Sequence, residues 1–251
     1  MSDLITVQGV VLSAMPIGEY DKRLVLLTKE RGKISVFAKG ARRPNSPYLA
    51  AANPFVFGSF TLYEGRSSYN LNQVSVTSHF TEIAGAQPEV YYGFYFLEVA
   101  DYYGREGNNE IEMINLLYVS LKALLNPQIE NPLIRYTFEF RVLVIQGEYP
   151  EIYQCVSCQQ QEELQFFSQN SHGMLCRSCA RQVADARPVL PSVIYALQYI
   201  AGVPLTKLYS FTVKQEVLEG LKKLVGVYFS RQIDKKLKSL EILKIICGTG
   251  I

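Results

Sequence analysis

The chain has 251 residues, 48% of them hydrophobic, and a formal net charge of +2. That apolar content is ample for the core of one large domain or two modest ones without help from disulfides, and no run approaches the roughly 18 apolar residues of a membrane span. A near-neutral average makes no case for a nucleic-acid partner, so the argument turns on distribution: residues 1–80 carry nine Lys or Arg against five Asp or Glu, residues 81–154 four against eleven, and residues 155–251 twelve against seven. The first residues, Met1 to Gln8, contain Asp3 and no basic leader or apolar run, and are read as neither a secretory signal nor a transit peptide, which predicts a cytoplasmic protein.

Residues 1–80 read as strands, because short β-branched runs alternate with turn residues at close intervals. Leu4–Ser13 and Arg23–Thr28 fit two of them. Lys29-Glu30-Arg31-Gly32 is a tight connection into Lys33–Ala38, with Gly32 free to take positive φ. Phe55 to Tyr63 alternates with period two, which makes Phe55 and Phe57 barrel core rather than base-stacking platforms, and a last strand is expected near Tyr69–Thr77. Five strands in about 80 residues suggest a small closed barrel of the OB type.

Helices take over after Pro88. Glu89–Tyr103 and Glu110–Leu125 are candidates, and a third is marked by Asn131 as N-cap, Pro132 at the first helical position and Gly147 just past the end. The aromatics Tyr91, Tyr92, Phe94, Tyr95 and Phe96 exceed what one helix face can bury, and are read as core of a helix covered on several sides. Helical pattern resumes near Pro191, with Val213–Phe229 and Ile233–Ile246 the clearest stretches. The reading is therefore α+β: an OB-fold barrel over residues 1–80, then a helical domain over 81–251 interrupted by a cysteine-bearing insert at about 151–182.

Cys155, Cys158, Cys176 and Cys179 form two C-x2-C pairs separated by seventeen residues, the spacing of a tetrathiolate zinc site. In a reducing compartment clustered cysteines read as metal ligands rather than disulfides. Four protein ligands leave no open position for activated water, so one structural zinc ion is expected, not a catalytic one. Cys247, alone beside Ile245 and Ile246, reads as a small core hydrophobe. His172 reads as a polar loop residue and His79 has no evident partner.

Gly18 to Arg43 holds Lys22, Arg23, Lys29, Arg31, Lys33, Lys39, Arg42 and Arg43 against Glu19, Asp21 and Glu30. Folded onto one face this segment attracts phosphate; unfolded from it, the same charge is only a solvated rim. Arg23, Lys33, Lys39, Arg42 and Arg43 are the candidate phosphate contacts, and Tyr48, in a Pro-flanked loop beside them, is the candidate base-stacking residue. Lys222, Lys223, Lys235, Lys236 and Lys238 read as solvated helix faces, a second DNA surface being the alternative. The acidic middle should repel DNA toward the barrel.

The run Gly18-Glu19-Tyr20-Asp21-Lys22-Arg23, with Leu27 to Lys33 and Ala38-Lys39-Gly40-Ala41-Arg42-Arg43-Pro44, resembles the N-terminal signature of the RecO recombination mediators. Pro54-Phe55 and Leu62-Tyr63-Glu64-Gly65 resemble the rest of that family's barrel. Phe138 to Arg141 through Gly147-Glu148-Tyr149-Pro150 resembles the helix before its cysteine knuckle, and Leu237 to Leu240 its C-terminal helix. The resemblance implies a non-enzymatic protein that binds single- and double-stranded DNA, anneals strands coated with single-strand-binding protein, and works with RecR to load RecA. It also implies contact with the acidic, hydrophobic tail of single-strand-binding protein, for which Arg135 and Arg141 are candidate rim residues. Two rivals share the features read from residues alone: an RNA-binding barrel with a zinc ribbon, and a non-catalytic protein scaffold. An enzyme is disfavoured, because no G-x-S-x-G, Walker A or paired acidic motif is present.

Overall fold

The computed structural model describes residues 3–66 and 68–248. Strands β1 (Leu4–Ile17), β2 (Asp21–Thr28), β3 (Gly32–Ala38), β4 (Phe57–Glu64) and β5 (Tyr69–Ser78) close a barrel in the order β1-β2-β3-β5-β4. β4 returns antiparallel to β1, and β3 meets β5 in parallel through only Val36–Tyr69 and Phe37–Asn70. The OB-like barrel expected from the strand count is thus present. Alternation sends Val7, Val11, Leu24, Leu26, Ile34, Val36, Phe60 and Leu62 into one interior, as period-two side-chain geometry requires. β1 runs four residues beyond the expected Ser13. A bulge between Val11 and Ser13 bends it, so that its first half pairs with β4 and its second with β2. β4 begins at Phe57, because Phe55 takes a left-handed backbone (φ 69) that ends the extended run. Both phenylalanines are buried, but not in the barrel core expected from the alternation. Val56, Phe60 and Leu62 face the interior, so Phe57 has the opposite parity and packs against Phe80 and Tyr118, while Phe55 meets Phe94 of the helical layer.

Helices α1 (Thr81–Gly85), α2 (Glu89–Tyr103) and α3 (Ile111–Leu124), with the C-terminal α9 (Lys238–Cys247), complete a first compact unit of Met1–Asn126 and Leu237–Gly250. α2 touches β1, α1, α3 and α9, and so buries Tyr92, Tyr95 and Phe96 on several sides. Of the five aromatics expected in the core, Tyr91 is only partly buried and Phe94 stays half exposed, against the Phe55 ring at 4.8 Å. The helix expected over Ile233–Ile246 starts only at Lys238. Leu237 is extended there, and the Glu98 carboxylate accepts the Ser239 N–H at 2.8 Å, the Lys238 N–H at 3.2 Å and the Ser239 hydroxyl. A carboxylate at that point satisfies free N–H groups and opposes the helix dipole.

A second compact unit covers Pro127–Lys236. It contains α4 (Asn131–Gln146), the hairpin β6 (Leu164–Ser168) and β7 (Gly173–Cys176), α5 (Arg177–Ala180), β8 (Arg187–Pro188), α6 (Pro191–Gly202), α7 (Gln215–Leu221) and α8 (Val227–Gln232). α4 ends on a left-handed Gly147 (φ 71) as its sequence requires, but Asn131 is already helical and the N-cap position belongs to Glu130. The expected Val213–Phe229 helix is realised as α7 and α8 joined by one π-helical stretch, Lys222–Gly226. Among the described residues, no helix is long and apolar enough to cross a membrane.

The turn between β2 and β3 fixes how the first unit is held together. Gly32 has φ +65, and a Cβ there would lie 2.1 Å from the Arg105 carbonyl oxygen, which also accepts the Lys33 N–H at 2.9 Å. Gly32→Ala should therefore lower unfolding free energy by about 2–4 kcal/mol, combining a positive-φ cost with loss of the close approach. Urea denaturation monitored by circular dichroism would read it; a midpoint unchanged from wild type contradicts the assignment.

Candidate nucleic-acid interface and metal centre

The basic residues divide between two places on the barrel. Strand parity puts Leu24 and Leu26 inside and Arg23 outside; on β3, Ile34 and Val36 point in and Lys33 out. Arg23 and Lys33 share an outer recess of about 420 Å³ with Ser35, Tyr69, Asp101 and Glu106. Arg23 is exposed there, whereas Lys33 is engaged: its ammonium donates to the Asp101 carbonyl at 2.5 Å and lies 3.4 Å from the Asp101 carboxylate. Of the pair, Arg23 is the side chain with charge to offer.

Lys39, Arg42 and Arg43 stand on the loop that follows β3, all exposed. This loop is fixed rather than loose. The Asp21 carboxylate accepts the Gly40 N–H at 2.7 Å, Arg42 N–H donates to the Tyr20 carbonyl at 2.9 Å, and the Arg42 guanidinium reaches the Gly18 carbonyl at 3.3 Å. Lys22 does a different job. It has the inward parity of Leu24, and its ammonium donates to the Ala52 carbonyl at 2.8 Å and to Asn53 Oδ1 at 2.7 Å. Burial, with Arg42 nearby, pulls its pKa below the usual lysine value. Lys22 therefore anchors the 49–53 segment beneath the basic loop.

Tyr48 lies half buried against the barrel core and donates its hydroxyl to the Asn72 carbonyl at 2.6 Å. The ring with an open face is Tyr20, 43% exposed, with the Arg43 guanidinium 5.3 Å from its centroid. Tyr20 was not among the residues singled out by sequence. Its place inside the basic segment was the available signal, but only the docking of the loop onto the β1–β2 turn brings Arg43 over it.

The four cysteines converge. Cys155 precedes β6, Cys176 ends β7 and Cys179 lies on α5; all four Sγ atoms are within 4.8 Å of one another. Cys158 and Cys176 Sγ are 3.8 Å apart, the edge of a tetrahedron with about 2.3 Å metal–sulfur bonds being ~3.8 Å. The Cys155 thiol is buried, which alone would raise its pKa, yet backbone N–H groups of Cys176, Cys158 and Ser157 bring it down to about 6. The Cys179 N–H likewise lowers Cys176, while hydrogen bonds among the thiols push Cys179 up to about 12. The donors and their spacing can hold one metal ion.

Arg135 and Arg141 are structural. Arg135 is buried and paired with Glu139 at 2.7 Å one turn along α4, so it cannot rim a surface pocket. Arg141 donates to the Ile200 and Ala201 carbonyls at 2.8 and 2.5 Å, closing the C-terminal end of α6. His172 sits in the β6–β7 turn with Nδ1 3.2 Å from the Tyr228 hydroxyl.

Comparison with known proteins accords with this geometry. The family model described as Recombination protein O N terminal matches residues 1–80, and that described as Recombination protein O C terminal matches residues 88–241. The DNA repair protein RecO of Alkaliphilus metalliredigens is 31% identical over 245 residues, which covers 97% of this chain and 100% of that protein. The proteins of the same name from Thermoanaerobacter sp. and Bacillus subtilis are 27% and 28% identical, covering 96% and 94% of this chain and 97% and 92% of their own lengths. With both family models matched in order over a five-stranded barrel and a cysteine cluster, the chain belongs to the RecO family of DNA repair and recombination proteins.

Proposed function

We propose that this protein is a non-enzymatic, cytoplasmic DNA-repair factor of the RecF recombination pathway, associated with the nucleoid, that binds single- and double-stranded DNA and anneals complementary strands. With RecR it helps to load RecA on DNA coated by single-strand-binding protein, whose acidic tail it also contacts. The observation that carries the reading is the pinned basic loop: Lys39, Arg42 and Arg43 project from a backbone fastened by Asp21 and Tyr20. An annealing factor needs no activated nucleophile. It needs cations held ready to neutralise two polyanions, and ordering them in advance removes an entropic cost of binding.

In this reading residues 1–80 are the DNA-binding domain and residues 81–251 a helical domain. Arg23, Lys39, Arg42 and Arg43 contact phosphate directly. Lys33 joins them only if DNA displaces Asp101, and Tyr48 supports the loop from below, with a base reaching its ring only at the open edge. One zinc ion, held by Cys155, Cys158, Cys176 and Cys179, stabilises residues 151–182. Metal binding on the order of 10 kcal/mol is then the main ordering force there, because the knuckle's own apolar cluster is small, with only Leu175 and Ala180 buried beside the cysteines and Val156, Leu164, Phe166, Val183 and Ala186 partly buried around them.

Fluorescence anisotropy with labelled single-stranded DNA across a salt series tests the interface. Four phosphate contacts predict a slope of log affinity against log salt of about −3, shallower at about −1 in the Lys39→Ala/Arg42→Ala/Arg43→Ala protein. Affinity independent of salt, or untouched by the triple change, leaves a protein scaffold as the better account; a preference for RNA favours the RNA-binding alternative. Purified protein should carry one zinc per chain. Cys158→Ser should lose it and increase hydrogen exchange across residues 151–182 while β1–β5 stay protected; metal-free wild type with the same protection there would overturn the structural role.

A further inference from the structure

We infer that the exposed Tyr118 ring, at the end of the barrel away from the basic loop, is a stacking platform for a nucleobase of single-stranded DNA. Tyr118 projects from α3 and is 41% exposed, yet its ring is not free to swing. Phe57 and Phe80, both buried, meet it edge-on with centroids 5.4 Å away and interplanar angles of 84° and 72°, and they meet each other at 5.5 Å. Phe80 is held at φ 45, a left-handed backbone rare for an aromatic residue. Such outliers gather where a side chain must be held in one place. A ring braced by two neighbours and 41% exposed suits base stacking, since little side-chain freedom remains to be lost.

The surroundings suit a base better than an apolar partner. Tyr118 borders a recess of about 250 Å³ edged by Lys29, Ser59, Thr77 and Asn115, which offer donors and acceptors of both kinds. The Lys29 ammonium is held at 3.0 Å by Gln8 Oε1, and the Glu30 carboxylate accepts the Gln8 N–H at 2.8 Å, so the local charge nearly cancels. Attraction at this end therefore comes from stacking and polar contacts rather than from charge. Lys29 follows the last residue of β2, whereas the basic loop is pinned by Asp21, its first residue. An eight-residue strand spans about 25 Å, so one extended strand laid along the barrel reaches phosphate-binding cations at one end and a base platform at the other.

This inference rests on the DNA-binding reading above, and its test separates the two. Anisotropy is measured with a labelled oligothymidylate, an abasic strand of the same length and a duplex, for wild type, Tyr118→Phe and Tyr118→Leu. Leucine keeps apolar packing on Phe57 and Phe80 but removes the ring, and thermal melting checks that the fold is retained. Tyr118→Leu should bind oligothymidylate about tenfold more weakly with an unchanged salt slope, and should bind the abasic strand and the duplex as wild type does; Tyr118→Phe should match wild type throughout. Equal weakening on all three probes, or none on oligothymidylate, overturns the platform while the basic-loop interface stands. If wild type binds none of the probes, the DNA-binding reading fails and the platform with it.

Discussion

Everything on the basic side of the barrel depends on how it closes around β1. One fourteen-residue strand serves two neighbours, and its bulge turns the second half away from β4 and onto β2. The opposite seam, β3 against β5, pairs two residues of each strand among the described residues, so the continuity of β1 carries most of the closure. Because β2 is fixed along its whole length between β1 and β3, its two ends become rigid posts. Asp21 and Lys22 hold the basic loop and its underlying segment at one end; the Lys29–Gly32 turn locks to Arg105 at the other.

The two compact units keep order by different means. The barrel and the helices of the first unit bury a continuous set of aliphatic and aromatic side chains, a force that grows with area and tolerates variation. The cysteine knuckle has only a small apolar cluster and several left-handed residues, Gln159, Glu163 and His172 among them, and its four thiols, within 4.8 Å of one another, form a donor set that could hold one cation in place of a larger core. Its hairpin tip is also tied to the helices: Gln169 reaches the Leu224 carbonyl in the π-helical stretch and His172 reaches Tyr228.

α4 shows a third device. Its Arg135–Glu139 pair lies almost wholly out of solvent, where Coulomb attraction is strong but the desolvation of both ions offsets most of it. Such a pair adds little net stability over an apolar one, and breaking it costs far more than making it gains. The neighbouring Tyr136 is buried enough for its pKa to be pushed up to about 12, and Gly226 lets that ring approach within 3.3 Å of where a Cβ would stand.

Sequence by itself determined what depends on local pattern and composition. Period-two alternation gave the strands but not which face is inward, since Phe57 lies outside the barrel interior that Phe60 and Leu62 fill; two C-x2-C pairs gave the cysteine cluster and Gly147 the end of α4, because each is set by residues a few positions apart. Helix starts were less legible: α9 begins at Lys238 because Glu98, far away in sequence, supplies the cap. Only the tertiary structure decided which charges are available. Lys22, Lys33 and Arg135 look like any other cation in the chain, yet carbonyls and carboxylates from distant segments have claimed them, while Arg23, Lys39, Arg42 and Arg43 remain open to solvent. The same holds for aromatics, since whether Tyr20, Tyr48 or Tyr118 shows a face depends on what long-range packing sets against it, and a one-dimensional pattern does not carry that information.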